Sequence, residues 1–172
     1  MRGKIVSAAA LVAMCFVALA SKPAAARPEL VTVSDNYPAG TIVVRQSQRR
    51  LYLMLGSGRA ISYPVAVGRA SMQWSGTVHV DGKYVAPAWE APASIRKDYT
   101  KYPAVIPGGS PHNPMGVAAL TLSGGGQYAI HGTNQPNLIG RFVSHGCIRM
   151  YNADIGDLYS RVRVGTAVVV TR

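Results

Sequence analysis

Two short stretches hold the residues able to do chemistry: AIHGT, residues 129–133, and SHGCIRM, residues 144–150. They supply one cysteine, Cys147, and two histidines, His131 and His145, each followed by a glycine, Gly132 and Gly146. Catalysis by a thiol needs the thiolate, and at an ordinary pKa of ~8.5 only about 3% of a cysteine is ionised at pH 7. A histidine in contact takes the proton, and a third group orients its ring. Cys147 is therefore the candidate nucleophile, and His131 and His145 are the candidate bases. Gly146 has no Cβ and lets the backbone at Cys147 approach a substrate closely. The adjacent N–H groups of Gly146 and Cys147 are candidate donors to a developing oxyanion. A base that precedes its nucleophile in the chain is acceptable, because such sites assemble in space.

Zinc is the competing chemistry, since His131, His145 and Cys147 are all zinc-ligand types. However, His145 and Cys147 stand only two apart, and no C-x-x-C or H-E-x-x-H pattern occurs. His79 and His112 lie in unrelated surroundings. No metal and no cofactor is expected.

The elements that must position these residues read mostly as strands. TIVVRQSQRRLYLML (41–55) and AISYPVAVG (60–68) are rich in β-branched and aromatic residues and flank the turn GSG (56–58), which predicts a hairpin. Pro64 inside the second run predicts an edge strand or a bulge. GTVHVDGKYVAP (76–87) predicts short strands around an Asp81-Gly82 turn. VAALTLSGGGQYAIHG (117–132) predicts strand, glycine turn and strand, ending at His131. Asn152 is a candidate cap for a short helix with Asp154 in its first turn, and GTAVVVTR (165–172) is a closing strand. Six of the eleven prolines fall between Ala86 and Gly116, which predicts a long irregular segment of the kind used as a lid or binding loop. Its aromatics Trp89, Tyr99 and Tyr102 either contact ligand or pack under the loop. The resulting fold class is mainly β: two packed mixed sheets, sandwich-like, with one or two short helices.

Residues 1–26 are set aside as a secretory signal: Arg2 and Lys4, an apolar run from Ile5 to Ala20, then small residues at Ala24 and Ala26 before the expected cut. The run is short for a bilayer span, and no second one follows. Cleavage leaves 146 residues (172 − 26), enough for one core. Residues 27–40 form a short N-terminal segment, and residues 41–172 form the domain. Of two cysteines, Cys15 leaves with the signal, so the exported chain carries Cys147 alone and no internal disulfide. The formal charge is +11, and the signal holds three cations (Arg2, Lys4, Lys22), leaving +8. Outside the cytoplasm this excludes nucleic acid as a natural partner and favours cell-wall carboxylates or acidic head groups, if the charge does more than solubilise.

IHGTNQPNLIGRFVSHGCIRMYNADIGDLY (130–159) closely resembles the signature of the L,D-transpeptidases with a YkuD-type catalytic domain. The matching parts are His131-Gly132-Thr133, Ile139-Gly140, Ser144 to Cys147, Arg149, and the helix from Asn152 to Tyr159. Asn113-Pro114-Met115-Gly116 resembles the family's N-P-x-G approach, and GTAVVV its last strand. The likeness covers roughly residues 40–172. It departs at Trp74-Ser75-Gly76, where Thr-Pro-x-Gly is usual. The resemblance implies Cys147 as nucleophile and His131 as base, its ring oriented by a backbone carbonyl near Gly132. It implies a supporting place for His145 and oxyanion donors at Gly146 and Cys147. Arg149 would hold a substrate carboxylate, or form a salt bridge with Asp154 or Asp157. Ser144 would brace the turn. Thr133, Trp89 and Tyr102 complete the substrate-binding set.

The function implied is a periplasmic peptidoglycan acyltransferase. Cys147 attacks the third-residue carbonyl of a tetrapeptide stem, D-alanine leaves, and the acyl group passes to an amine of a second stem or of an envelope protein. A carboxypeptidase or amidase of the wall, and a non-catalytic wall-binding module, are the alternatives.

Overall fold

The computed structural model describes residues 28–172 apart from 35, 92–95, 97–99, 101–102 and 125–127. The expected signal, residues 1–26, and Tyr99 and Tyr102 lie outside the described residues. The strands are β1 (Glu29–Thr32), β2 (Ile42–Arg45), β3 (Arg50–Gly56), β4 (Arg59–Gly68), β5 (Gly76–Val85), β6 (Trp89–Glu90), β7 (Val105–Ile106), β8 (Ala118–Leu122), β9 (Ala129–His131), β10 (Phe142–Ser144), β11 (Ile148–Met150) and β12 (Ala167–Thr171). One helix, α1 (Asn152–Arg161), sits between β11 and β12.

The sheet runs β4-β11-β9-β8-β5-β12-β2-β3, and β3 pairs back onto β4, so it closes into a barrel-like ring. This corrects the sandwich expectation. Closure rests on two parallel pairings between distant strands, β12 with β2 and β11 with β9. β1 and β10 add to β4, and β6 with β7 forms a separate two-stranded sheet. Inside the ring Leu51, Tyr63, Val65, Ile130, Ile148 and Met150 are fully buried. α1 lays Ile155 and Leu158, one turn apart, into the same core.

Local chemistry explains most of the elements. Ser57 (φ 52°) and Gly58 (φ 68°) are both left-handed, which suits a two-residue turn joining β3 to β4. The 41–55 run breaks into β2 and β3 at a turn where Arg49 takes φ 52°. Pro64 is not on an edge. Val65 donates its N–H to Arg49 O at 2.9 Å, so the nitrogen of Pro64 faces the other side of β4. There it falls in the gap between the β1 pairing, which ends at Ser62, and the β11 pairing, which begins at Val65. The missing donor thus costs no ladder bond. Asp81-Gly82 is not a turn either. β5 runs straight through it with a register shift between Val80 and Gly82, where the strand exchanges β12 for β8 as its partner.

α1 is held at both ends. Tyr151 occupies the N-cap position, so Asn152 is not the cap, and its side chain turns instead toward the site. At the other end Lys83, from β5, donates to the carbonyls of Tyr159 (2.7 Å) and Val162 (2.6 Å), placing a cation where the helix ends negative. Midway, Tyr63 donates to Asp157 at 2.6 Å, and Asp157 also pairs with Arg161 at 2.8 Å.

Candidate active site

The parallel pairing of β11 with β9 sets Ile148 beside Ile130 and Arg149 beside His131. Side chains alternate across a strand. The two isoleucines enter the core, so Arg149 and His131 share the opposite face. One residue back in the same register, Cys147 comes beside Ala129, whose backbone lies within hydrogen-bonding reach of the thiol. Imidazole and guanidinium therefore share one face of two adjacent strands, and the thiol stands immediately before β11, against the Ala129 backbone.

His131 is 3% exposed. Its Nδ1 lies 2.7 Å from Gly132 O. A carbonyl can only accept, so Nδ1 carries the proton and Nε2 offers the lone pair a base needs. The backbone of Pro114 and Met115 also faces the ring. Burial, reinforced by Arg149, lowers its pKa to about 4. Burial also pushes the Cys147 thiol up, against smaller opposing contributions from the Ala129 backbone and Arg149. Both shifts favour the neutral forms, thiol and imidazole, over thiolate and imidazolium.

The turn carrying Cys147 is braced from below. Gly146 takes φ 121°, and a Cβ there would run into the Tyr128 ring. Ser144 Oγ donates to Cys147 O (2.6 Å) and accepts from Gly146 N–H (3.1 Å). That bond commits Gly146 N–H, one of the two expected oxyanion donors, to the turn itself, and the expectation passes to Cys147 N–H. Trp74 Nε1 donates to Gly146 O at 3.0 Å and stacks on Tyr128 with centroids 4.9 Å apart. Buried Gln46 donates in turn to Trp74 O. The stretch that departs from the family pattern is therefore built against the turn that carries Cys147. Half-buried His145 sits in the same turn, between β10 and β11.

His131 is walled by the N-P-x-G stretch. Asn113, 1% exposed, donates to the carbonyls of Pro87 (2.8 Å) and Pro107 (3.1 Å) and accepts from Met115 N–H (2.8 Å). It thereby pins the long 86–116 segment and presents Pro114 and Met115 to His131. Asn152 Oδ1 accepts from Thr133 N–H (3.0 Å) and Val117 N–H (3.3 Å). A Cβ at either Gly116 or Gly132 would collide with that oxygen. Thr133 Oγ1 accepts from Gln135 N–H at 3.0 Å and is buried. Trp89 is half-buried in β6, opposite Ile106. Arg149 makes no salt bridge with Asp154 or Asp157, which removes that reading: Asp157 is taken by Arg161 and Tyr63, and Arg149 Nε is buried without a hydrogen-bond partner. Among the described residues no three His, Cys, Asp or Glu side chains converge as metal ligands would.

Of the structural residues, Asn113 and Trp74 carried a sequence signal, as match to and departure from a family motif. Tyr128, Gln46 and the clamp at Asn152 carried none, because each acts over a long stretch of chain.

Comparison with known proteins places this arrangement. Residues 39–170 match the YkuD family, described as the L,D-transpeptidase catalytic domain. The chain is 36% identical over 149 residues to the probable L,D-transpeptidase YbiS of Escherichia coli, covering 82% of this chain and 47% of that protein. It is 38% identical over 152 residues to the probable L,D-transpeptidase ErfK/SrfK of the same organism, covering 83% and 47%. The chain thus spans about half the length of these relatives. An L,D-transpeptidase from Mycobacterium smegmatis superposes with a TM-score of 0.60 at 18% identity, covering 77% of this chain and 58% of that one. L,D-transpeptidase 3 from Mycobacterium tuberculosis, solved with a faropenem-derived adduct, superposes at 0.56 and 18% identity, covering 77% and 60%. The chain belongs to the L,D-transpeptidase catalytic-domain family.

Proposed function

We propose that the protein is a cysteine acyltransferase of peptidoglycan, exported to the periplasm, and that Cys147 is its nucleophile. The observation that carries this reading is the shared face of β9 and β11, with Arg149 in register beside His131 and Cys147 just ahead of β11 against the Ala129 backbone. Sγ attacks the third-residue carbonyl of a tetrapeptide stem while His131 Nε2 takes the thiol proton. The tetrahedral oxyanion leans on Cys147 N–H. As it collapses, the C–N bond breaks and D-alanine leaves with the proton returned by His131. An acceptor amine then attacks the thioester, loses its proton to His131, and frees the thiol. The amine of a second stem gives a 3→3 crosslink, that of an envelope protein gives wall attachment, and water gives a tripeptide.

Arg149 suits the carboxylate of the departing D-alanine, since its Nε is buried without an acceptor in the fold. Thr133, Trp89 and Tyr102 are proposed to line the stem's path. Because a member of this family carries a faropenem-derived adduct, a penem is expected to acylate Cys147.

The test is mass spectrometry after incubation with purified disaccharide-tetrapeptide, beside Cys147→Ala. A product lacking D-alanine that vanishes with Cys147→Ala supports the reading, and its mass names the acceptor. An intact tetrapeptide with folded protein, together with no mass gain on penem exposure, would sink it and favour a wall-binding module.

A further inference from the structure

A cavity opens at the Asn152 clamp, with Gly116, Thr133 and Asn152 in its wall. It encloses about 880 Å³, and Cys147, His131 and Arg149 are not among its lining residues. Its walls are largely apolar, from Pro28, Val85, Pro111 and Val117, and Val85 and Val117 are exposed at its rim. Asp154, in the first turn of α1, lines it at 2% exposure. Asp154 Oδ2 is buried without a hydrogen-bond partner. The charge that acts on it is another acid, Asp157, and Asp157 has its own cation in Arg161. Buried carboxylates are costly unless paired. Among the described residues no cation pairs with this one.

The chain itself brings one to the cavity. Pro28 lines it, and the residue before Pro28 is Arg27, which lies outside the described residues. A signal cut after Ala26 makes Arg27 the first residue, with an α-ammonium and a guanidinium on one amino acid. Its aliphatic stem suits the apolar walls, and its charges suit Asp154. Before cleavage the α-ammonium does not exist.

We propose that this cavity is the seat of the mature amino terminus, where Arg27 pairs with Asp154 once the signal has been removed. Export and folding are thereby linked: the precursor holds a buried, unpaired acid, and processing supplies its partner. The proposal rests on the cut after Ala26 and not on the acyl-transfer reading.

The sign of one substitution tests it. Asp154→Asn is made in two backgrounds, a chain beginning at Arg27 and a chain that keeps Ala24–Ala26 ahead of Arg27→Gln. If the pair forms, Asp154→Asn lowers the melting temperature by about 3 °C or more in the first background, and leaves it level or raises it in the second. Equal shifts in both overturn the proposal, including the case where some other ammonium ligand or a second copy fills the cavity. If Asp154→Asn does not fold, carboxyl NMR of the two chains with Asp154 intact decides. Asp154 should titrate below its ordinary 3.8 when Arg27 leads and near 6 when it does not. The intact mass of exported protein fixes the first residue, and any first residue but Arg27 overturns the proposal while leaving acyl transfer untouched.

Discussion

The two sides of the Gly116–Gly132 seam are built on opposite plans. On the thiol side, polar groups are anchored to the backbone. His131 leans on the Gly132 carbonyl, Ser144 makes two bonds across the turn, and Asn113 ties Pro87, Pro107 and Met115 together. On the cavity side, a carboxylate is buried with none. Asn152 stands between the two and holds both edges of the seam. The difference teaches that the site's geometry owes little to ion pairing. It owes most to main-chain contacts, which a change of salt hardly touches.

The sharpest way to break the contrast is at the thiol. Cys147→Ala should remove at least ~10³-fold of acyl transfer, with a melting temperature that falls far less than with Gly146→Ala, because the turn's bonds to Ser144 Oγ are made by backbone groups that alanine keeps. Turnover and calorimetry on the same preparation check it. Gly146→Ala should do the reverse and damage the fold itself. A positive φ and a collision with Tyr128 together predict a loss of about 2–4 kcal/mol in chemical denaturation.

Acid should separate the two sides by sign. His131 titrates at 6.5 unfolded and about 4 folded. Between those values the unfolded chain binds more protons, so stability is full above pH 6.5 and falls as pH drops toward 4. The full shift corresponds to about 3 kcal/mol. Asp154 without a partner shifts the other way, from 3.8 to about 6, so its share is lost as pH rises through that window. Urea midpoints at pH 7 and pH 4.5 should show His131→Gln flattening the first dependence and Asp154→Asn the second, the latter only where Arg27 is absent.

Arg149→Gln should raise KM for the tetrapeptide roughly 10- to 100-fold, about 1.4–2.7 kcal/mol, and leave unfolding within 2 °C. A large drop in stability instead would mean that the guanidinium supports the fold. The smallest effect belongs to Trp74→Phe, which keeps the stack on Tyr128 and loses the bond to Gly146 O. It should lower kcat by about 5-fold with KM unchanged, near 1 kcal/mol.

The site was legible in the sequence where it is local. Gly132 follows His131 directly, so the carbonyl that orients the ring was within reach of inference. Ser144 as a brace spans only three residues. The bracing of Gly146 by Trp74 and Tyr128 was not legible, because those rings arrive from β-strand connections 72 and 18 positions away. The fold shows the same division. The hairpin followed from its turn residues and the helix from Asp154 in its first turn, although its cap is Tyr151 and not Asn152, while closure of the ring depends on β12 finding β2 across most of the chain. Asp81-Gly82 misled for a related reason: a turn pair inside one strand becomes a bulge when the strand must change partners.

The Trp74 indole gives the protein a built-in optical reporter. The chain has two tryptophans, and one of them is hydrogen-bonded to the carbonyl immediately before Cys147, the proposed nucleophile. An acyl group on Sγ changes the field and the strain at that carbonyl. Emission from Trp74, isolated by replacing Trp89 with phenylalanine, should therefore step when the thioester forms and return when it is resolved. Both half-reactions would then be timed in a stopped-flow cell with unlabelled substrate.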